Sequence, residues 1–286
     1  EYKFTMAREM NIDALLPQEM ATKAEYLGER KAEMPFLTML ALAILAGAFI
    51  GLGAMFATTT AAGSAGVLPY GVVRVLTGFV FCLGLVLVIV GGAELFTGNN
   101  LIVMAWASGK VSTRSLMRNW TIVYIGNFIG AITLAGMVFI SQQYLFGNGS
   151  VGTTALGIAN AKVQLGFTQA IALGVLCNIL VCLAVWLTFS ARSTIDKIAA
   201  IIFPITAFVA AGFEHSVANM YFIPMGLLIN TFDPGFAAAA NIDLSNLTWG
   251  TFLINNLLPV TIGNIIGGSV FVATIYWSVF LRRKTV

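Results

Sequence analysis

"GFEHSVAN", residues 212–219, interrupts an apolar run from 195 to 230 and carries Glu214 beside His215, the chain's single histidine. A second stretch, "AELFTGNN" at 93–100, interrupts the run from 71 to 108 in the same manner, with Glu94 and Asn99 spaced as Glu214 and Asn219 are. Read as straight helices at about 1.5 Å per residue, these two runs would measure roughly 57 and roughly 54 Å, against a bilayer core of about 30 Å. Tilt does not absorb that excess. Each run must therefore break, and the polar stretch is where it can.

The rest of the chain sets those breaks in a membrane. Of 286 residues, 58% are hydrophobic and 9% charged, far below the roughly 25% charged residues of a soluble domain. Further apolar runs lie at 36–58, 120–145, 163–190 and 248–280, each long enough for a helical span. Barrel-type alternation is absent, so the expected fold class is an all-α integral membrane protein with six transmembrane helices, the second and fifth broken. No short cleavable leader pattern opens the sequence, and the first span is expected to serve as the insertion signal.

Net charge is +3, but in such a chain the placement of Lys and Arg matters more than their sum. With an inside N-terminus, the inner segments hold Lys3, Arg8, Lys23, Arg30, Lys31, Lys110, Arg114, Arg118, Arg192, Lys197, Arg282, Arg283 and Lys284, whereas Lys162 falls outside and Arg74 lies near the mouth of the second span. That bias predicts a multi-pass protein with both termini inside, a lipid bilayer as its partner and no nucleic acid. Trp106, Trp120, Trp186, Trp249 and Trp277 are expected at the interfaces near span ends. Cys82, Cys177 and Cys182 lack metal or redox spacing and read as small buried hydrophobes. Asn148-Gly-Ser and Asn246-Leu-Thr have the form of glycosylation sequons in outside loops.

The two breaks are one half of an internal duplication. "NWTIVYIGNFIGA" at 119–131 aligns with "NLLPVTIGNIIGG" at 256–268, keeping Asn and Ile-Gly-Asn in register. Three spans per half place the second copy upside down relative to the first, the architecture of many transporters and pores. Gly47, Gly51 and Gly53, with Gly126, Gly130, Gly263 and Gly267, supply faces for close helix approach, and Asn127 and Asn264 on the same faces read as interhelical hydrogen-bonding groups. Residues 17–34 form an amphipathic helix with Pro17 in its first turn and a Glu19–Lys23 pair. Two readings stand for it: an interfacial lead-in to the first span, or a lid.

Only Glu94, Glu214 and His215 are ionisable groups deep within spans, where an unpaired charge costs several kcal/mol. A carboxylate at a helix break can accept from amides that lack water, so Glu94 and Glu214 are expected first to support the breaks, together with Gly98 and Asn99. His215 carries a charge that changes near neutral pH, and Thr97 in the partner break offers a hydroxyl that donates and accepts. Positive dipole ends near Gly98 and Val217 add to a site suited to a small monovalent anion. No metal set and no cofactor motif accompanies it. A hydrolase reading of Glu214, His215 and Ser216 fails because consecutive helical residues diverge by about 100°.

"AELFTGN", "GFEHSVANMYFIP", the paired Ile-Gly-Asn motifs and the N-terminal helix closely resemble the formate/nitrite transporter family over about residues 17–284. The resemblance implies an aquaporin-like inverted repeat in a bacterial inner membrane, assembled as a homopentamer with one pore per protomer. It implies formate as the solute, with nitrite and other small monocarboxylates as weaker ones, or alternatively nitrite or hydrosulfide. It implies that His215 faces Thr97 across a central chamber with Asn178 and Val181 nearby, that Leu85, Leu95 and Phe96 form an inner constriction, and that Phe81 and Phe208 form an outer one. Lys162 corresponds to a basic vestibule residue, Asn219 follows the histidine by one turn, and the N-terminal segment corresponds to a pH-sensitive gate. The chain then divides into a cytoplasmic segment 1–35, a channel domain 36–281 with halves at about 36–146 and 163–281, and a tail 282–286. Aquaporin Asn-Pro-Ala motifs are missing, and one histidine excludes a twin-histidine ammonium pathway.

Overall fold

The structure, a computed structural model, describes residues 14–282; Lys3, Arg8, Arg283 and Lys284 lie outside the described residues. Among the described residues there is no strand. The order is α1 (Pro17–Ala32), α2 (Phe36–Ala61), α3 (Tyr70–Gly91), a tight 3₁₀ turn (Gly98–Ile102) leading into α4 (Val103–Ala107), then α5 (Thr113–Ile140), α6 (Ser150–Val163) and α7 (Phe167–Thr188). Next come α8 (Thr194–Ala211), α9 (Ser216–Phe232), α10 (Pro234–Ala239) and α11 (Trp249–Phe280), the last with two π-helical stretches. Among the described residues six helices, α2, α3, α5, α7, α8 and α11, are long and apolar enough to cross a membrane. Both long runs break where the polar stretches stand, between α3 and the 3₁₀ turn and between α8 and α9.

The two halves repeat their packing. Helix α2 lies against α3 and α5 as α7 lies against α8 and α11, and α3 packs on α8 across the centre. The repeat reaches further than the spans: α1 covers the chain after the first break, and α6 packs on α9 after the second. The described cations also segregate, with Arg74 and Lys162 at the α6 side and the other Lys and Arg residues at the α1 side.

Helix α1 does more than lead into α2. Its buried Met20, Ala21 and Ala24 join a core cluster with Leu101, Ile102, Met104 and Ala105 from the turn and α4. The helix stops at Ala32, two residues earlier than its sequence pattern predicts, because Pro35 disfavours helical backbone in the residue before it. Trp186 departs from the interfacial expectation: it is buried and stacks on Tyr276 at 4.2 Å between centroids. Trp120 also turns inward, donating its Nε1–H to the Asn99 carbonyl at 3.1 Å. Cys82, Cys177 and Cys182 are free and buried.

Helix contacts at α2/α5 and α7/α11 are backbone to backbone. A Cβ at Gly47 or Gly130 would overlap the carbonyls of Asn127 or Ile44, and one at Gly263 or Gly267 those of Ile171 or Val175. Such contacts must be bare for the spans to seat. Gly130→Ala is therefore expected to destabilise the fold by about 1–3 kcal/mol, the cost of overpacking. Gly136→Ala, with nothing within 4 Å of its new Cβ, is the neutral comparison, and the fraction surviving a heat step in detergent reads the difference.

Candidate functional site

Each broken span ends on a glycine with left-handed backbone, Gly92 and Gly212, both at φ 79°. That conformation closes a helix without Cβ strain. Ala93 and Phe213 N–H still reach back to the Val88 and Phe208 carbonyls at 2.9 and 3.0 Å, but beyond them the chain leaves the helix, so its amides and carbonyls need other partners in a medium without water. The next amides are taken by the neighbouring span: Glu94 N–H donates to the Leu42 carbonyl at 3.2 Å and Glu214 N–H to that of Leu173 at 3.3 Å.

One asparagine side chain satisfies each remaining break. Asn127 Oδ1 accepts from Phe96 N–H at 2.9 Å, and its Nδ2 donates to the carbonyls of Ala43 at 2.8 Å and Glu94 at 2.9 Å. Asn264 Oδ1 accepts from Ser216 N–H at 2.9 Å, and its Nδ2 donates to the carbonyls of Gly174 at 2.8 Å and Glu214 at 3.0 Å. A carboxamide fits because it is donor and acceptor at once and carries no charge.

The expectation that Glu94 and Glu214 accept the break amides is corrected by this arrangement. Glu94 Oε1 pairs with Lys31 Nζ at 2.5 Å, and its Oε2 accepts from Asn99 Nδ2 at 2.7 Å. Glu214 Oε1 pairs with Lys162 Nζ at 2.7 Å, and its Oε2 accepts from Asn219 Nδ2 at 2.7 Å. Asn119 and Asn256 complete the two clusters, each donating to the carbonyl of the lysine in its own half, Lys31 or Lys162. A carboxylate at 4–5% exposure is stabilised better by a cation than by a neutral amide. Glu94 and Glu214 thus brace the breaks through Asn99 and Asn219, and each also ties its break to a lysine from α1 or α6.

Between the breaks, Thr97 Oγ1 and His215 Nε2 stand 2.9 Å apart, fully and almost fully buried. His215 caps α9: its Nδ1 accepts from Ala218 N–H at 3.0 Å. A neutral imidazole whose Nδ1 accepts carries its proton on Nε2, so Nε2–H donates to Thr97. Asn178 Nδ2 reaches the carbonyls of Thr97 at 3.2 Å and Asn264 at 2.7 Å, joining the two halves from behind. Gly98 opens the resumed 3₁₀ turn and Ser216 opens α9, with Val217 at its second position.

Two cavities flank this pair. The α1-side cavity, about 370 Å³, is lined by Leu85, Leu95, Glu94, Gly98, Asn99 and Lys31 among others. The α6-side cavity, about 320 Å³, is lined by Phe81, Phe208, His215, Asn219, Lys162 and Arg74 among others. Phe81 and Phe208 meet edge to face at 5.6 Å, and Phe208 lies 5.9 Å from the His215 ring. The residues named from the sequence thus gather around the pair and its two cavities. Thr97, Asn178 and Val181 are buried and line neither cavity, Asn178 bonding to the Thr97 carbonyl, and the Phe96 ring packs on Tyr124 at 4.9 Å.

The sequence profile of formate/nitrite transporters matches residues 18–278. The chain belongs to the formate/nitrite transporter family. It is 44% identical to the formate channel FocA of Escherichia coli (strain K12), over 95% of this chain and 96% of that one. It is 42% identical to FocA of Haemophilus influenzae, over 90% of this chain and 92% of the other. Among solved structures, a pentameric formate channel with formate bound superposes with a TM-score of 0.81 at 45% identity, covering 86% of this chain and 98% of that chain. An FNT family ion channel gives 0.78 at 28% identity, covering 91% and 98%. The six-span inverted repeat is the fold of that family, and these relatives are channels and transporters.

Within this member of the formate/nitrite transporter family, the sequence reading missed Lys31 as the counterpart of Lys162. The signal was present in the spacing: Lys31 stands five residues before Phe36, the start of α2, and Lys162 five before Phe167, the start of α7. Asn127 and Asn264 were legible as polar residues in paired motifs, but not as the ligands of the breaks. Asn264→Ala would leave the Ser216 amide and the Glu214 carbonyl without this partner, each at about 1–3 kcal/mol, and would remove the second bond to the Gly174 carbonyl, which lies within α7. We expect the variant to lose its folded state in a thermal unfolding series well below the parent, and Asn264→Gln, which keeps the chemistry at the wrong length, to recover little of it.

Proposed function

We propose that the protein is a pH-regulated channel for formate and related small monovalent anions in a bacterial inner membrane. The observation that carries this reading is the buried Thr97–His215 pair, held at 2.9 Å where the two helix breaks meet and flanked by a cavity with cations on each side. In the family, relatives bearing the name formate channel support formate as the solute, and the pentameric relative supports a homopentamer with a pore in each protomer. Nitrite and other small monocarboxylates are weaker solutes in this reading. The excess of Lys and Arg at the α1 side supports a cytoplasmic location for that face and for both termini.

An anion enters from the α6 side past Lys162 and Arg74 and meets the apolar ring of Phe81 and Phe208. It then reaches His215 and Thr97, and leaves through Leu85 and Leu95 into the α1-side cavity. Apolar rings exclude hydrated ions by dewetting, so a polar contact between them is where the passing anion regains part of its lost hydration. With Nδ1 held as an acceptor by Ala218, the neutral ring has one proton to offer, at Nε2. It offers that proton as a hydrogen bond. Donation to Thr97 leaves the Thr97 hydroxyl hydrogen free for the anion, and displacement of Thr97 frees Nε2–H itself. Net proton transfer to formate requires a proton that arrives with the anion, since a neutral ring that gave one up would become an anion.

Helix α1 is the gate in this reading, held over the cavity by Lys31 to Glu94 and by Lys110 to Glu25 and Glu29 at 2.6 and 3.2 Å. Hydrogen bonds to Glu25 and Glu29 raise the Lys110 pKa above its ordinary 10.5. A raised lysine pKa contributes stability in full below the unfolded value and loses it as pH rises through the folded one. Lys110 therefore stays charged through the neutral range and is a latch, not the pH sensor. Lys110→Gln is expected to speed amide exchange across α1 at about pH 7, whereas the parent keeps its protection, corrected for intrinsic rates, up to about pH 9.

Formate flux into proteoliposomes across a pH series tests the pathway. His215→Ala is expected to lower flux about tenfold or more and to change its pH profile, the scale of one lost buried hydrogen bond to a charged species. Thr97→Val is expected to lower flux less, with the pH profile kept. An unchanged rate and profile in His215→Ala would reduce the histidine to a helix cap and sink this mechanism.

A further inference from the structure

The α1-side cavity holds three lysines, Lys23, Lys31 and Lys197, and a single carboxylate, Glu94. Lys31 is matched to Glu94 at 2.5 Å. Lys23 Nζ donates to the Phe189 carbonyl at 2.9 Å, at the end of α7. Among the described residues, neither Lys23 nor Lys197 has a carboxylate within ion-pair distance; the expected Glu19–Lys23 pair does not form, because Glu19 turns back to accept from Leu16 N–H at 2.8 Å. Burial first, and the facing Lys197 charge second, hold the Lys23 pKa below its ordinary 10.5, so the two cations act on each other. Lys197 also sits in the first turn of α8, where exposed amides favour an anion and oppose a cation. Asp196, one residue earlier, spends its carboxylate on the Arg192 and Ser193 N–H groups at 3.1 and 2.9 Å and is not within ion-pair distance of Lys197.

The α6-side cavity differs. Its Lys162 is paired with Glu214, and its Arg74 is spent on the Val209 and Ala210 carbonyls that end α8. Net positive charge is thus larger at the α1-side mouth than at the other, and it is held by two ammonium groups with no counter-charge of their own. A monovalent anion such as formate neutralises one of them. An anion of charge −2 neutralises both.

We propose that Lys23 and Lys197 form a binding station for a small divalent oxyanion, of the dicarboxylate or hydrogen phosphate class, and that its occupation obstructs the pathway from the α1 side. The cavity, at about 370 Å³, has room for such an anion. The Leu85 and Leu95 floor does not let it through, because carrying two charges across an apolar constriction costs far more than carrying one. Lys23 and Lys197 are then a positioning pair for an inhibitor, separate from the Thr97–His215 centre.

Obstruction rests on the pathway reading above; binding does not, and the two are measured separately. The full chain in nanodiscs is titrated with oxalate by calorimetry, with sodium acetate at matched ionic strength as the monovalent comparison. Oxalate is expected to bind the parent and to bind Lys23→Gln/Lys197→Gln about tenfold more weakly, the scale of lost charge-assisted contacts. Lys23→Arg/Lys197→Arg, which keeps both charges, is expected to retain binding; it carries the test if the glutamine pair does not fold, together with the single variant Lys197→Gln. Hydrogen phosphate in place of oxalate separates the two chemistries: equal binding assigns the station to divalent charge, and oxalate alone assigns it to paired carboxylates. In proteoliposomes, oxalate on the α1 side is expected to slow formate flux several-fold while oxalate on the α6 side leaves it unchanged. Absence of oxalate binding, equal binding of acetate, or full binding by the glutamine pair overturns the station. Absence of formate flux in the parent overturns the pathway reading instead and leaves the calorimetry to decide the station.

Discussion

A helix that stops inside a membrane exposes backbone groups that no water can satisfy, and the rest of this structure depends on how two such stops are answered. In each half a neighbouring span's carbonyl takes one amide and a single carboxamide, Asn127 or Asn264, holds the rest together, making one bond as acceptor and two as donor. The bonds reach the break from one side and a neighbouring span, α2 or α7, from the other. Each asparagine is therefore a three-way joint. It works only if the helix bearing it lies against α2 or α7 at backbone distance, which is why the glycines around it are bare.

Charge is laid around those joints in a matched pair of clusters. Lys31, Glu94, Asn99 and Asn119 in one half correspond to Lys162, Glu214, Asn219 and Asn256 in the other. Each carboxylate is nearly neutralised by a lysine from a helix that lies outside the six spans. Buried ion pairs seldom add net stability, because desolvation offsets the attraction. Their consequence here is geometric: α1 and α6 are held to the breaks, and each cavity mouth is left with one cation that leans on a carboxylate.

The symmetry ends at the centre. One break presents Thr97 and the other His215, a hydroxyl against an imidazole, and the rings around them differ as well, Leu85 and Leu95 on one side and Phe81 and Phe208 on the other. A duplicated scaffold thus supplies two equivalent joints, and the residues that face the axis are free to diverge because the joints do not use them. His215 does both: Nδ1 caps α9 and Nε2 faces Thr97, so one ring fixes its own tautomer while presenting a donor to the pathway.

The sequence by itself determined that the chain spans a membrane six times, which runs must break and where, that the halves are inverted copies, and that Glu94, Glu214 and His215 are the costly residues. These follow from composition, length and spacing, which are local quantities. It did not determine which groups answer the breaks. Acidic residues in the breaks invited the reading that they accept the free amides, whereas the amides went to Asn127 and Asn264, some thirty to fifty residues away in the chain. The tertiary structure decided this because hydrogen-bond partners are set by helix approach, and the carboxylates were taken first by cations brought in by α1 and α6. Trp186 teaches the same lesson: an aromatic at a span end reads as an interface anchor, and only the packing of Tyr276 against it turned it into core.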